Sequence, residues 1–152
     1  MTHTSLSLVL AALFTVPLCA QTITLEDIIV TSTNKMPTSI ERTTADITVI
    51  TAKDIEEHGY LSVAEAISKA AGITVSQSGG LGQPSSFFLR GREGGSILVL
   101  LDGMRLNDPS TTDNRALLDA LITSNIAQIE IIKGASGSIW GPNASAGVIN
   151  II

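Results

Sequence analysis

Cysteine, histidine, aromatic and basic residues are all scarce in this chain of 152 residues, and each shortage removes a class of function. The single Cys, Cys19, lies in an apolar N-terminal stretch, so no disulfide ties the remainder together. The same shortage leaves residues 21–152 without a thiolate metal site or a cysteine nucleophile. Two His, His3 and His58, are too few for an imidazole-based metal centre. Nine Lys+Arg stand against 14 Asp+Glu, a net charge of −5. Duplex binders neutralise phosphates with a basic patch, so this balance argues against nucleic-acid recognition. One Trp, one Tyr and three Phe cannot supply the aromatic girdles of a transmembrane barrel. Eight spanning strands of about 10 residues would also consume most of the chain.

Catalytic patterns are missing as well. Gly79-Gly80-Leu81-Gly82 lacks the following Gly-Lys-Ser/Thr of a phosphate loop. Ser145, in Asn143-Ala144-Ser145-Ala146-Gly147, is a near miss for a nucleophile elbow; the first glycine is absent and no Asp or His follows. Asp108, Asp113 and Asp119 lack the spacing of a cation loop and read as solvated charges. His58 falls at a helix end, where a cation complements the dipole.

What is present starts with a secretory-type signal over residues 1–20. Leu6 to Val16 is its apolar core, too short to span a bilayer, and Pro17 precedes a cleavage point after Ala20. Met1–Ser5 carries no Lys or Arg, and Leu18 stands where a small residue is preferred. Residues 21–45, rich in Thr and Ser, bury too little to offset their ordering entropy and read as a flexible arm. One β-prone island interrupts the arm at Glu26-Asp27-Ile28-Ile29-Val30-Thr31-Ser32.

Residues 46–152 read as one α+β domain with a small mixed sheet of four to six strands and two or three short helices. Asp46–Thr51 alternates as a half-buried strand does. Thr51 and Asp54 open a short helix that Gly59 stops, and Ser62 with Glu65 forms the better capping box of a second helix ending at Gly72. Ile73-Thr74-Val75 and Phe87-Phe88-Leu89 are strand-like, separated by a Gly-rich loop. Ile97–Leu101 is aliphatic throughout and fits a strand covered on both faces. Asp102-Gly103 predicts a hairpin turn to Met104-Arg105-Leu106. A polar loop over 107–115 and a short helix from Ala116 to Ile122 follow. The closing pair, Ile129–Lys133 and Gly147–Ile152, reads as two strands, the last without turn or tail, as if more chain were expected.

Taken in order, these segments resemble the N-terminal plug domain of TonB-dependent outer-membrane receptors. The resemblance is carried by Asp27–Thr31, Ile50–Ile55, Val63–Ile67 with Ala71-Gly72-Ile73, and Phe88-Leu89-Arg90-Gly91. It continues through Val99–Asn107, Ile129–Gly134, Trp140-Gly141 and Gly147–Ile151. The stretch from Gln77 to Gly91 is most similar to cobalamin receptors, as is Ser86, whereas Pro84 and Glu93 depart from them, which keeps ferric siderophores open as ligand. Ala135 and Lys133 stand where the family more often has Pro and Arg.

The resemblance implies a plug inside a 22-stranded β-barrel, with TonB and its inner-membrane energising complex as partner. It implies no cofactor and no metal. Residues 26–32 would be the TonB box, joining a partner sheet by strand addition. Gln83, Ser85, Ser86, Glu93, Thr111 and Thr112 would face the ligand. Arg90, Arg105, Glu130 and Lys133 would face the barrel wall. A free-standing exported ligand-binding domain, a plug-only product without transport activity of its own, and a small hydrolase are the alternatives. The ligand loops are too small and polar to enclose a large solute, and the chain alone cannot transport one.

Overall fold

A computed structural model of the chain describes residues 29–30, 35–40 and 44–152. The signal-like residues 1–20 lie outside the described residues, as do Glu26, Asp27, Ile28, Thr31 and Ser32. The fold is α+β, as the sequence pattern predicts. Two short strands, β1 (Ile29–Val30) and β2 (Thr38–Ser39), pair with each other antiparallel. Then come β3 (Asp46–Thr51), α1 (Ala52–His58), α2 (Val63–Ser68), β4 (Ile73–Gln77), β5 (Ser85–Leu89) and β6 (Arg92–Glu93). The chain continues through β7 (Ile97–Leu101), β8 (Met104–Arg105), β9 (Gln128–Lys133), α3 (Gly137–Trp140) and β10 (Gly147–Ile151).

Five of these strands make the central sheet, in the order β3-β9-β10-β7-β8. Only β10 and β7 run parallel; every other neighbour is antiparallel. A second sheet, β4-β5-β6, is antiparallel throughout. Period-2 alternation sends Ile129, Ile131, Ile149, Ile151, Ile97 and Val99 into the main core, where Ile55, Val63, Ala66 and Ile67 of the helices meet them. The opposite face carries Leu98, Leu100, Ile132 and Val148, packed with Ala144, Ile47 and Trp140. The aliphatic run of β7 is therefore covered on both sides.

Local chemistry sets the element ends. Thr51 Oγ1 accepts from Asp54 N–H at 3.2 Å and Asp54 returns a bond to Thr51 N–H at 2.8 Å, a complete capping box. Gly59 ends α1 in the left-handed region at φ 66°. At α2 the predicted box is only half made: Ser62 accepts from Glu65 N–H, but the Glu65 carboxylate takes Leu61 N–H instead. That helix ends at Ser68 rather than at Gly72, with Lys69 as its C-cap. Asp102 and Gly103 both have positive φ, 48° and 80°, the primed turn that matches strand twist.

One predicted helix does not form. Residues 116–122 are irregular, with a turn closed by Leu121 N–H on the Leu118 carbonyl at 3.2 Å and single bridges Asn107–Ala116 and Ser62–Ile122. Ala116 and Leu118 point inward while Leu117 is exposed, a period of two that no helix satisfies. The third helix stands instead at Gly137–Trp140. The arm also differs from a wholly unpaired tether, because β1 is paired and Val30 is 0% exposed.

Candidate functional site

Two loop segments meet the middle strand of the second sheet. Ser86, Phe87 and Phe88 of β5, Glu93 and Gly94 beyond it, and Asp113 with Arg115 line a cavity of about 90 Å³. Ser86 and Glu93, both predicted to face ligand, are thus brought together, although the cavity holds no more than a small group. Gly95 makes the approach feasible: a Cβ there would lie 1.9 Å from the Asp113 carbonyl oxygen. Arg115 reaches Asp113 across 3.5 Å.

Ser85 is buried and turned away from that cavity's lining. Its N–H donates to Asp119 Oδ1 at 2.7 Å and its hydroxyl donates to the same oxygen. The Asp119 carbonyl also accepts from Gly82 N–H at 3.2 Å, so this acid ties the Gly-rich loop to the 116–122 segment. Gln83 is exposed in the Gly-rich loop, its N–H bonded to the Gly80 carbonyl. Thr111 is half-buried with its hydroxyl on the Asp108 carbonyl at 2.8 Å, and Thr112 is exposed. Asp108 caps its own turn: Ser110 donates its hydroxyl and N–H to the carboxylate, holding its pKa below the ordinary carboxylate value. The three acids that read as solvated charges therefore each have a partner. Among the described residues, no three acidic, His or Cys side chains cluster as metal ligands would.

Asn107 holds the loop in place. Its Oδ1 accepts from Val99 N–H at 2.8 Å, and its Nδ2 donates to the Ile97 and Asn114 carbonyls at 2.9 and 3.0 Å. It is buried, and one side chain thus joins the ladder of β7 to the far end of the 107–115 loop. The sequence read Asp119 as a solvated charge and named Asn107 only as the end of the Val99–Asn107 stretch, with no structural role for either.

The four charges predicted to face a barrel wall divide three ways. Arg90 Nη2 donates to Asp46 Oδ2, and Lys133 Nζ lies 3.7 Å from Asp46 Oδ1. Asp46 and Lys133 are direct register partners on β3 and β9, and the aliphatic stems of Arg90 and Lys133 pass Gly72. Glu130 is 0% exposed on the second face of the sheet, accepting from Gln128 Nε2 at 2.8 Å and Asn150 Nδ2 at 3.3 Å. Arg105 is exposed at the β7–β8 hairpin, and Arg90 is exposed as well.

At the N-terminal end, Ile29 and Val30 stand opposite Ser39 and Thr38. Lys35, at φ 61°, places Nζ 4.8 Å from the centroid of Trp140. Of the predicted partner-binding strand, these two residues are the described part.

Fold and loops together define a small α+β domain with two loop segments gathered beside its second sheet. A family model described as the TonB-dependent receptor plug domain matches residues 39–148, and the chain belongs to that family. It is 35% identical over 133 residues, 88% of its length, to the vitamin B12 transporter BtuB of Vibrio vulnificus. The chain spans 22% of that transporter. Among solved structures, Pseudomonas aeruginosa FpvA bound to pyoverdine matches with a TM-score of 0.66 at 20% identity, over 82% of this chain and 16% of that one. The siderophore receptor PiuA of Acinetobacter baumannii matches with a TM-score of 0.59 at 24% identity, over 76% of this chain and 15% of that one. At these identities the structural matches establish the fold.

Proposed function

We propose that this chain is the plug of an outer-membrane receptor that gates energy-coupled uptake of a large, scarce solute of the cobalamin class. The observation that carries the reading is the 35% identity to a vitamin B12 transporter across 88% of the chain. In this reading a β-barrel surrounds residues 46–152, and the loops carrying Gln83, Ser86, Glu93, Thr111 and Thr112 meet the ligand from outside. The small cavity beside Ser86 and Glu93 suits one polar substituent of such a solute rather than the whole molecule. Arg105, exposed at its hairpin, is the readiest of the four charges to pair with the barrel wall.

The arm then lies on the periplasmic side, and residues 26–32 are the TonB box. A short β-prone strand suits addition to a partner's sheet, where main-chain hydrogen bonds supply affinity and side chains set register. Ligand at the outer loops would shift the arm between docked and released, an order–disorder switch. Replacing Val30 by Pro removes a main-chain donor. In the complete receptor, Val30→Pro is expected to abolish TonB capture while leaving solute binding unchanged; undiminished capture contradicts the box assignment.

A further inference from the structure

The loop that carries Gln83 and leads into Ser86 is closed by its own short-range bonds. Ser78 N–H meets the Pro84 carbonyl at 3.1 Å, and Gln83 N–H meets the Gly80 carbonyl at 3.1 Å. Gln77 Nε2 donates to that same Gly80 carbonyl at 2.8 Å. Among the described residues, the hydrogen bonds that tie the loop to the rest of the domain come from Asp119. Its Oδ1 accepts from Ser85 N–H at 2.7 Å and from the Ser85 hydroxyl, and its carbonyl accepts from Gly82 N–H at 3.2 Å. Gln83 and Ser86 therefore each stand next to a residue that Asp119 holds. Side chains alternate along β5, and Ser85 is only 6% exposed, so holding Ser85 inward turns Ser86 toward the cavity. Asp119 is itself fastened to the helix layer. Two residues on, the Leu121 carbonyl accepts from Val63 N–H at 3.0 Å, and the Thr123 hydroxyl donates to the Tyr60 carbonyl at 2.6 Å.

We propose that Asp119 is a positioning residue for solute binding, setting the 78–86 loop at the angle from which Gln83 and Ser86 meet the ligand. The inference rests on the reading above that these two residues face the solute, but the anchor has its own observable. Amide exchange in the loop reports it whether or not solute is bound. Hydrogen bonds to a charged acceptor are the stronger kind, and losing one shifts an equilibrium by about tenfold or more. The apparent affinity of a ligand follows the fraction of competent conformer. In the complete receptor, Asp119→Ala is therefore expected to speed exchange over residues 78–86 and to weaken cobalamin binding by about tenfold. Uptake at saturating cobalamin should stay within about twofold of the unaltered rate, because bound solute selects the competent loop. Both Ser85 bonds land on one oxygen, so an amide can accept them both. Asp119→Asn should accordingly hold cobalamin within about threefold of the unaltered receptor, its bonds being neutral rather than charge-assisted.

Thr51→Ala separates positioning from a general loss of stability. The α1 cap shares no hydrogen bond with the loop, so this variant should leave cobalamin affinity unchanged. Unaltered affinity in Asp119→Ala, or an equal weakening in Asp119→Asn or in Thr51→Ala, overturns the positioning role. Unchanged exchange over 78–86 in Asp119→Ala overturns the anchor whatever the receptor binds. Faster exchange there, in a receptor whose unaltered form binds no cobalamin, upholds the anchor and overturns the cobalamin reading instead.

Discussion

The most demanding structural prediction concerns Asn107, because one buried side chain carries the connection between β7 and the 107–115 loop. Replacing it by Leu keeps roughly the volume and strands three buried main-chain groups: Val99 N–H and the Ile97 and Asn114 carbonyls. Each orphaned group costs about 1–3 kcal/mol, and relaxation of the loop toward water recovers part of that. A net loss of about 3–4 kcal/mol is expected, a large fraction of the ~5–15 kcal/mol that holds a small domain. With a urea slope of about 2 kcal/mol per molar, the unfolding midpoint should fall by about 1.5–2 M at unchanged slope. Asn107→Asp should also destabilise, since its carboxylate would face two carbonyl oxygens where the amide donates. Equilibrium urea unfolding followed by circular dichroism measures both. A midpoint shift under about 0.3 M for Asn107→Leu refutes the claim that this side chain fastens the loop.

Three further outcomes follow from single contacts. Gly95→Ala must move the Asp113 carbonyl away from residue 95, so the cavity beside Ser86 and Glu93 should widen, with altered exchange confined to residues 86–96 and 107–115. Gly147→Ala, whose Cβ would meet Ile132 O at 2.3 Å and Leu89 Cδ2 at 2.5 Å, should destabilise by about 1–3 kcal/mol in thermal unfolding without touching the loops. Thr51→Ala removes the hydroxyl half of the α1 capping box, leaving the N–H of residue 51 on Asp54, and should cost about 1 kcal/mol at neutral pH. Asp54 accepts Thr51 N–H and Oγ–H, which holds its pKa below the ordinary 3.8. Its contribution is therefore present above about pH 4 and lost as the pH falls through the lower folded value. The gap between Thr51→Ala and the unaltered chain should narrow over that acid range, as melting temperatures against pH would record.

Much of the domain was legible from local pattern. The unbroken aliphatic run of Ile97–Leu101 announced a strand covered twice, and Asp102-Gly103 announced its hairpin. Several of the failures share one physical cause: long-range partners overrode local propensity. Residues 116–122 contain good helix formers, but Asp119 is bound to Ser85 and Ile122 bridges Ser62, so the segment is held in an irregular path with one turn. At α2 the Glu65 carboxylate found Leu61 N–H one residue earlier than the box pattern expects. For the charges, residue type alone could not show that Asp46 would gather both Arg90 and Lys133, which arrive from different sheets. Neither could it show that Glu130 would be enclosed between Gln128 and Asn150. The β1–β2 pairing was not legible either, because Thr38-Ser39 sits in a polar stretch with no strand signature of its own.

Uptake by a chimera tests the central claim most directly. Residues 46–152 of this chain, with the arm that precedes them, would replace the plug of the Vibrio vulnificus vitamin B12 transporter, and cells would be supplied with labelled cobalamin. TonB-dependent accumulation, abolished by Val30→Pro and absent without TonB, is the predicted result. A chimera that reaches the outer membrane folded but accumulates no cobalamin contradicts the account. Accumulation that persists without TonB contradicts it as well.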